Sequence, residues 1–278
     1  MNPLDWDLGN VPPGILWGGV DEAGRGAWAG PVVAACAVLD QAAARKWRHV
    51  LVEVQDSKQV APERRAVLAT ELKSVLAAWA VAEVDSMAID RENILEATMM
   101  AMRGAVEKVE AKPRILFVDG NRAPKTGLLE RLIVDGDATS CAVAAASILA
   151  KTHRDARMAE LDELYEGYGF ARHKGYGTAL HRERLRAMGV SPVHRLSFAP
   201  VEAMQTVDEG LRDALHHSLE RCASVLDLQC WVEVNLRPAY PKLKRVWIET
   251  LRRRYADLLA RLAYQEDLGG ASAEGPEA

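Results

Sequence analysis

Apolar positions fall first into short runs and only later into helical spacing. Residues 14–20 and 32–39 are apolar runs bounded by Gly or Pro and read as strands. Between them lies Asp21-Glu22-Ala23-Gly24-Arg25-Gly26-Ala27-Trp28-Ala29-Gly30-Pro31, a Gly-rich connection. Pro62 opens a helix to residue 78, with Val67, Leu68, Leu72, Val75 and Leu76 at helical intervals. A third strand covers 79–84, and a helix over 90–109 carries Ile94, Leu95, Met99 and Met102 on one face. Residues 114–118 form a buried strand ending at Asp119, and 129–134 a shorter one. A long helix follows over 139–165, then a loop over 167–177 and a helix over 178–188. Strands first, then strands alternating with helices, predict an α/β fold with a central mixed sheet flanked by helices. After residue 200 the pattern turns helical. Apolar spacing over 211–228 and 246–262, broken at 238–241, predicts a helical hairpin, and the Gly-, Ala- and Glu-rich 269–278 is expected to be disordered. The chain thus divides into a main domain, 1–200, and a helical C-terminal extension, 201–278, with a disordered end.

Composition narrows the function classes. A chain that is 49% hydrophobic and 27% charged can build an ordinary core. The net charge of -4 argues against a tail-driven nucleic-acid binder but leaves room for a local basic groove. Cys36, Cys141, Cys222 and Cys230 form no Cys-x-x-Cys pair and no zinc-ligand spacing, and their usage suits a reducing cytoplasm. No run approaches the length of a membrane span, and the first ten residues lack a signal-peptide pattern.

Acidic residues stand at the ends of buried strands: Asp21 and Glu22 after the first, Asp119 after the fourth, and Asp135 and Asp137 after the fifth. Each alone reads as a turn or cap residue. Together they suit a converging site, because clustered carboxylates repel and a divalent cation bound by oxygen relieves that repulsion. Two-metal phosphodiester hydrolysis, with ions roughly 3.5–4 Å apart, uses such a cluster. Neighbours in an extended strand point to opposite faces. Glu22 therefore reaches the site of Asp21 only if the strand has ended or if one of the two offers its carbonyl, which makes Asp21 the firmer side-chain ligand.

The segment Gly19-Val20-Asp21-Glu22-Ala23-Gly24-Arg25-Gly26 resembles the opening motif of type 2 ribonuclease H, the bacterial ribonuclease HII family. The resemblance continues in order through Asp56-Ser57-Lys58, Asn93-Ile94-Leu95, Asp119-Gly120-Asn121 and Gly136-Asp137. It then passes through Ala145-Ala146-Ser147-Ile148-Leu149-Ala150-Lys151, Arg154-Asp155, His173-Lys174-Gly175-Tyr176-Gly177-Thr178 and His194-Arg195-Leu196-Ser197-Phe198. Many motifs in family order across 18–200 make this a specific signal.

The resemblance implies a ribonuclease H-like fold and two Mg2+ or Mn2+ ions held by Asp21, Glu22, Asp119 and Asp137. It implies Asp137 in preference to Asp135, because family members keep a fixed gap between the fourth acid and the Ala-Ala-Ser serine and Asp137 has that gap to Ser147. It implies cleavage of the RNA strand of RNA–DNA hybrids, and of duplex DNA on the 5′ side of embedded ribonucleotides, leaving 3′-hydroxyl and 5′-phosphate ends. It gives Gly24, Arg25, Gly26 and Tyr176 to the ribose 2′-hydroxyl. Lys58, Asn121, Ser147, Lys151, Arg154, His173 and Lys174 are further substrate-binding candidates. Ser147, Lys151, Arg154 and Asp155 share one helical face, which reads either as a solvated stripe or as a phosphate-contacting one. A cytoplasmic monomer without membrane contact is expected. The sequence departs from the family at Asp135, where a Lys is common, at Ala27-Trp28-Ala29, and in the extension. Trp28 reads as a core plug in preference to a substrate contact. Arg252-Arg253-Arg254, preceded by Lys242, Lys244 and Arg245, is either a solvated face or a set of phosphate contacts. An integrase- or resolvase-like enzyme would not need the Gly-Arg-Gly and Tyr176 reader, and the four intact acids argue against a non-catalytic binder.

Overall fold

The computed structural model describes residues 1–54 and 60–271. They fall into two compact units, divided between Arg184 and Leu185. In chain order the elements of the first unit are α1 (Pro3–Asn10), β1 (Trp17–Ala23), β2 (Val32–Leu39), α2 (Gln41–Lys46), α3 (Arg48–Leu51), α4 (Pro62–Val75), β3 (Ala78–Val84), α5 (Ser86–Glu92) and α6 (Ile94–Lys108). Then come β4 (Ile115–Asp119), β5 (Leu129–Ile133), α7 (Gly136–Thr139), α8 (Cys141–Leu164) and α9 (Phe170–His173). Helix α10 (Ala179–Met188) runs across the division between the units.

The strands form one sheet in the order β3-β2-β1-β4-β5. β1, β2 and β3 pair antiparallel, while β4 and β5 add on parallel, so the sheet is mixed as the pattern predicts. Helix α8 packs on β1 and β2, and α6 packs on β2 and β3. Every residue of α8 from Cys141 to Ala150 is buried, which explains its run of small side chains. The approach is close enough that a Cβ on Gly19 would lie 2.1 Å from the carbonyl carbon of Ala142 and 2.2 Å from the Val143 nitrogen. Trp17, Leu39, Leu68, Leu72 and Phe117 belong to the same core.

Several elements differ from the pattern: the short helices α1, α2 and α3 are not expected from it, α9 lies within the expected loop over 167–177, and a separate α7 precedes α8. β1 extends to Ala23 because β2 pairs with it residue by residue up to Ala23 opposite Val33. The helix predicted over 90–109 is two helices, α5 and α6, broken at Asn93. Asn93 has φ 74°, and its side chain accepts hydrogen bonds from the amides of Leu95 (2.9 Å) and Glu96 (3.1 Å), so it caps a new helix in place of continuing the old one.

In the second unit, α11 (Ala199–Glu202), α12 (Glu209–Leu219), α13 (Val225–Trp231), α14 (Arg237–Ala239) and α15 (Arg245–Ala271) follow one another. A π-helical stretch over Val232–Leu236 and a 3-10 turn over Tyr240–Lys242 make the break predicted near 238–241. The hairpin becomes three helices, because Ser224 and Asp227 form a capping box that starts α13 afresh. Leu215, Leu219, Leu228, Trp231, Ile248, Leu251, Leu258 and Leu262 are buried. The basic run is partly spent on its own unit. Arg254 Nε donates to Glu220 (3.0 Å), the Arg252 guanidinium lies 5.9 Å from the Tyr240 ring, and Lys244 Nζ lies 4.8 Å from the Trp247 ring. Helix α15 continues to Ala271, past the expected loss of order at 269, and residues 272–278 lie outside the described residues.

The β1–α8 contact makes a direct prediction. Gly19→Ala must push α8 off the sheet, at a cost of about 1–3 kcal/mol or more. A thermal melt should show the loss, and an unchanged melting temperature would contradict so close an approach.

Candidate active site

The register of the sheet creates an opening. β2 pairs with all seven residues of β1, but β4 pairs only with Trp17 to Val20, the last pair being Val20 with Val118. Beyond Val20, Asp21 and Glu22 remain on an extended strand whose β4 side is free of ladder partners. Asp119 is the last residue of β4. Carboxylate oxygens of Asp21, Glu22 and Asp119 all lie within 4.8 Å of one another there. The expectation that Glu22 needs the strand to end is thus corrected: the strand continues to Ala23, and the Glu22 side chain still joins the cluster.

Burial and like charge both act on this cluster. Asp21 is 5% exposed, and its carboxyl is held well above its ordinary value, first by desolvation and then by Glu22 and Asp119. A hydrogen bond from the Ser147 hydroxyl and one from the Glu22 amide (2.6 Å) offset part of that. Glu22 is raised as well, by burial, with relief from Arg25 at 3.3 Å. A set of desolvated, mutually repelling oxygen ligands suits a hard divalent cation. Asp119 Oδ1 accepts from the Gly136 amide at 2.7 Å, which ties the start of α7 to β4. Asp137, the next residue, is buried, while Asp135 is exposed in the left-handed region at φ 52°. Asp137 lies outside the tight group of three.

The substrate-binding candidates divide by exposure. Arg25, Gly26, Asn121 and Tyr176 are exposed, and Lys151 and Lys174 are half-buried. Lys151 Nζ lies 2.6 Å from Asp155, which Arg65 also holds at 3.0 Å, and Lys174 Nζ donates to the Asp155 carbonyl. Lys58 lies outside the described residues.

Arg154 is corrected from a phosphate contact to a buried staple. It is fully buried, and its guanidinium donates to the carbonyls of Pro31 (3.0 Å), Lys174 (2.9 Å) and Ala29 (3.2 Å). It sits directly under the Gly-Arg-Gly loop: a Cβ on Gly24, whose φ is +93°, would lie 1.9 Å from Arg154 Nε. The Tyr176 ring lies 5.5 Å from the same guanidinium.

His173 is likewise buried rather than aimed at a ligand. Its Nδ1 accepts from the Gly175 amide (3.2 Å), which leaves Nε2 to donate to the Tyr168 carbonyl (2.9 Å). It stacks on His181 with centroids 4.2 Å apart. Burial lowers His173, and burial together with His173 presses His181 down to about 4. Trp28 fits the plug reading. Its amide donates to the Gly175 carbonyl (2.8 Å), its ring lies 5.6 Å from His181, and a Cβ on Gly177 would strike the ring at 2.2 Å. Sequence reasoning missed His181, which had no local signal beyond a polar helix start.

Comparison with known proteins decides the family. Residues 18–201 match the family model for Ribonuclease HII. The chain belongs to the ribonuclease HII family. Ribonuclease HII of Polaromonas sp. is 47% identical over 201 residues, which cover 72% of this chain and 96% of that protein. Ribonuclease HII of Dechloromonas aromatica is 49% identical over 191 residues, 69% of this chain and 94% of that one. Among solved structures, ribonuclease H2 from Pyrococcus horikoshii OT3 aligns with a TM-score of 0.60 at 28% identity, covering 68% of this chain and 97% of that chain. The enzyme is accordingly a metal-dependent endonuclease of the ribonuclease H class, acting on RNA–DNA hybrids.

The electrostatics give a sign that a melt can test. A carboxyl whose folded pKa is raised above its unfolded value contributes stability at low pH and loses it as pH rises through the folded pKa. Asp21→Asn should therefore raise the melting temperature of metal-free protein at alkaline pH, and the gain should shrink as pH falls toward the raised value. Mg2+ should stabilise the wild type more than the variant. Equal melting temperatures in chelator across the range would refute the repulsion.

Proposed function

We propose that the enzyme hydrolyses the RNA strand of hybrids and cuts duplex DNA on the 5′ side of embedded ribonucleotides by two-metal-ion chemistry, leaving 3′-hydroxyl and 5′-phosphate ends. The observation that carries this reading is the convergence of Asp21, Glu22 and Asp119 at the open end of β1, beside the Gly24–Gly26 loop. Asp21, Glu22, Asp119 and Asp137 would hold Mg2+ or Mn2+. Bound ions would activate the attacking water and stabilise the leaving oxygen.

The chain's own residues supply selection and positioning. The exposed Gly26 would let backbone groups approach a sugar without a side chain in the way, Gly24 makes room for Arg154 beneath the loop, and the exposed Tyr176 ring would offer a face for stacking. Both belong to segments stapled by Arg154, through Ala29 and Pro31 on one side and Lys174 on the other. One guanidinium thus sets the spacing between the backbone and the ring that would read the 2′-hydroxyl. Arg25, Lys151 and Lys174 would contact phosphates, the exposed Asn121 would add an amide, and Ser147, hydrogen-bonded to Asp21, would orient it. Lys58 is proposed for the same phosphate role. The acids come from one chain, which suits a monomer. The family match ends at 201, which supports a catalytic domain over 1–200 and an extension, 201–278, that chemistry does not need. No described helix is long and apolar enough to cross a membrane.

Two variants test the two halves of the reading. Asp119→Asn should cut cleavage in Mg2+ by at least about 100-fold, while hybrid binding in Ca2+ stays within a few-fold of wild type. Cleavage near the wild-type rate would end the metal assignment. Tyr176→Ala should slow cutting at a single embedded ribonucleotide by about 10- to 100-fold, the worth of one stacking contact, with Mn2+ binding unchanged. A variant that cuts this duplex as fast as wild type would make Tyr176 structural. An all-DNA duplex is the control for both.

A further inference from the structure

Helix α1 lies before residue 18, where the family match begins. It nevertheless touches every segment that carries a candidate metal ligand. Asp7 on α1 is fully buried. Its Oδ2 accepts from Trp17 Nε1 (3.1 Å) at the start of β1, four residues before Asp21. The same oxygen accepts from the Ala142 amide (2.9 Å) in the first turn of α8, five residues before Ser147. The Ser140 side chain also hydrogen-bonds Asp7, three residues after Asp137. The neighbouring Trp6 meets Phe117 edge to face at 5.3 Å, two residues before Asp119 on β4. The Asn10 carbonyl at the end of α1 accepts from Arg131 of β5 at 3.1 Å.

We propose that α1 is a brace that sets the spacing of the catalytic acids, with Asp7 as its positioning residue. The proposal rests on the reading of those acids as metal ligands. The physical case is one of geometry. Asp21 and its partner Ser147 belong to different elements, β1 and α8, that meet backbone to backbone at Gly19 and Ala142. That contact is one of close packing, and the hydrogen bond of Ser147 to Asp21 links the two elements at the site itself. A single carboxylate oxygen that accepts from both elements at their junction further limits how far one slides along the other, because hydrogen bonds are directional where packing is not. Asp7 also faces the N-terminus of α8, where the first amides have no partner within the helix, a favourable place for an acidic group. Burial nonetheless pushes its carboxyl up to about 6.

The test separates positioning from plain stability. Asp7→Leu should lower kcat at saturating substrate and weaken Mn2+ binding measured by calorimetry, each by about 10- to 100-fold, as loss of a support behind metal ligands does. Hybrid binding in Ca2+ should stay within a few-fold. Asp7→Asn keeps an oxygen that accepts the same two donors and should recover most of both losses. A variant with a lower melting temperature but wild-type kcat and Mn2+ affinity would overturn the proposal, as would failure of Asp7→Asn to recover beyond Asp7→Leu. If Asp7→Leu does not fold, Trp17→Phe removes one donor alone and should weaken Mn2+ binding in the same direction; unchanged affinity would overturn the brace. Asp119→Asn, run alongside, tells the two readings apart. If it leaves Mn2+ binding intact the metal assignment fails, and if it abolishes binding while Asp7→Leu keeps the wild-type Mn2+ affinity, the brace fails.

Discussion

Three carboxylates within 4.8 Å of one another, Asp21 buried and the other two half-buried, repel, and the frame around them must keep them from moving apart. That frame is a strand fixed on one side and open on the other. β2 holds β1 through Ala23, so Asp21 and Glu22 cannot relax outward with their backbone. β4 stops pairing at Val118, so the space for the side chains exists. Helix α8 presses on β1 through the Gly19 contact and brings Ser147 to Asp21. The small residues of α8, the glycine in β1 and the short β4 ladder all follow from one requirement: repelling groups must be held where a cation can bind.

The loops around this site are organised by a buried cation. Arg154 directs its guanidinium to three main-chain carbonyls from two segments and occupies the space that a side chain at Gly24 would need. Carbonyls are neutral acceptors, so the charge is satisfied by hydrogen bonds without a carboxylate that would compete for metal. The pairing of Asp155 with Arg65 and Lys151 follows a different logic, in which a half-exposed carboxylate restrains the ammonium group left near the surface. One face of α8 therefore carries both a scaffold and a candidate contact.

Much of this was legible in the sequence, for reasons particular to each residue. The sheet and α8 follow from apolar runs and a stretch of small side chains, both local signals. The acids stood out because polar groups end apolar strands. The position of Glu22 was not legible, since it depends on where β4 stops pairing with β1, a relation between residues about a hundred positions apart. Helical spacing placed Arg154 on the face of Ser147 and Lys151 but could not show that the Ala29–Pro31 and Lys174 carbonyls cover it. Asp7 gave no signal at all. It sits in an acidic N-terminal stretch, and only the fold brings the Ala142 amide to it.

The stacked imidazoles of His173 and His181 have a consequence for how the enzyme meets a polyanion. Both rings are committed to main-chain hydrogen bonds, and both are disfavoured as cations. Burial thus works against charging of the imidazoles beside the segment that presents Tyr176. Counterion release on association depends on the number of cations that face the phosphates. If this loop meets phosphates as proposed, the cations it brings are lysine and arginine, whose charge does not depend on pH near neutrality, so the ionic-strength dependence of its binding would be decoupled from proton activity.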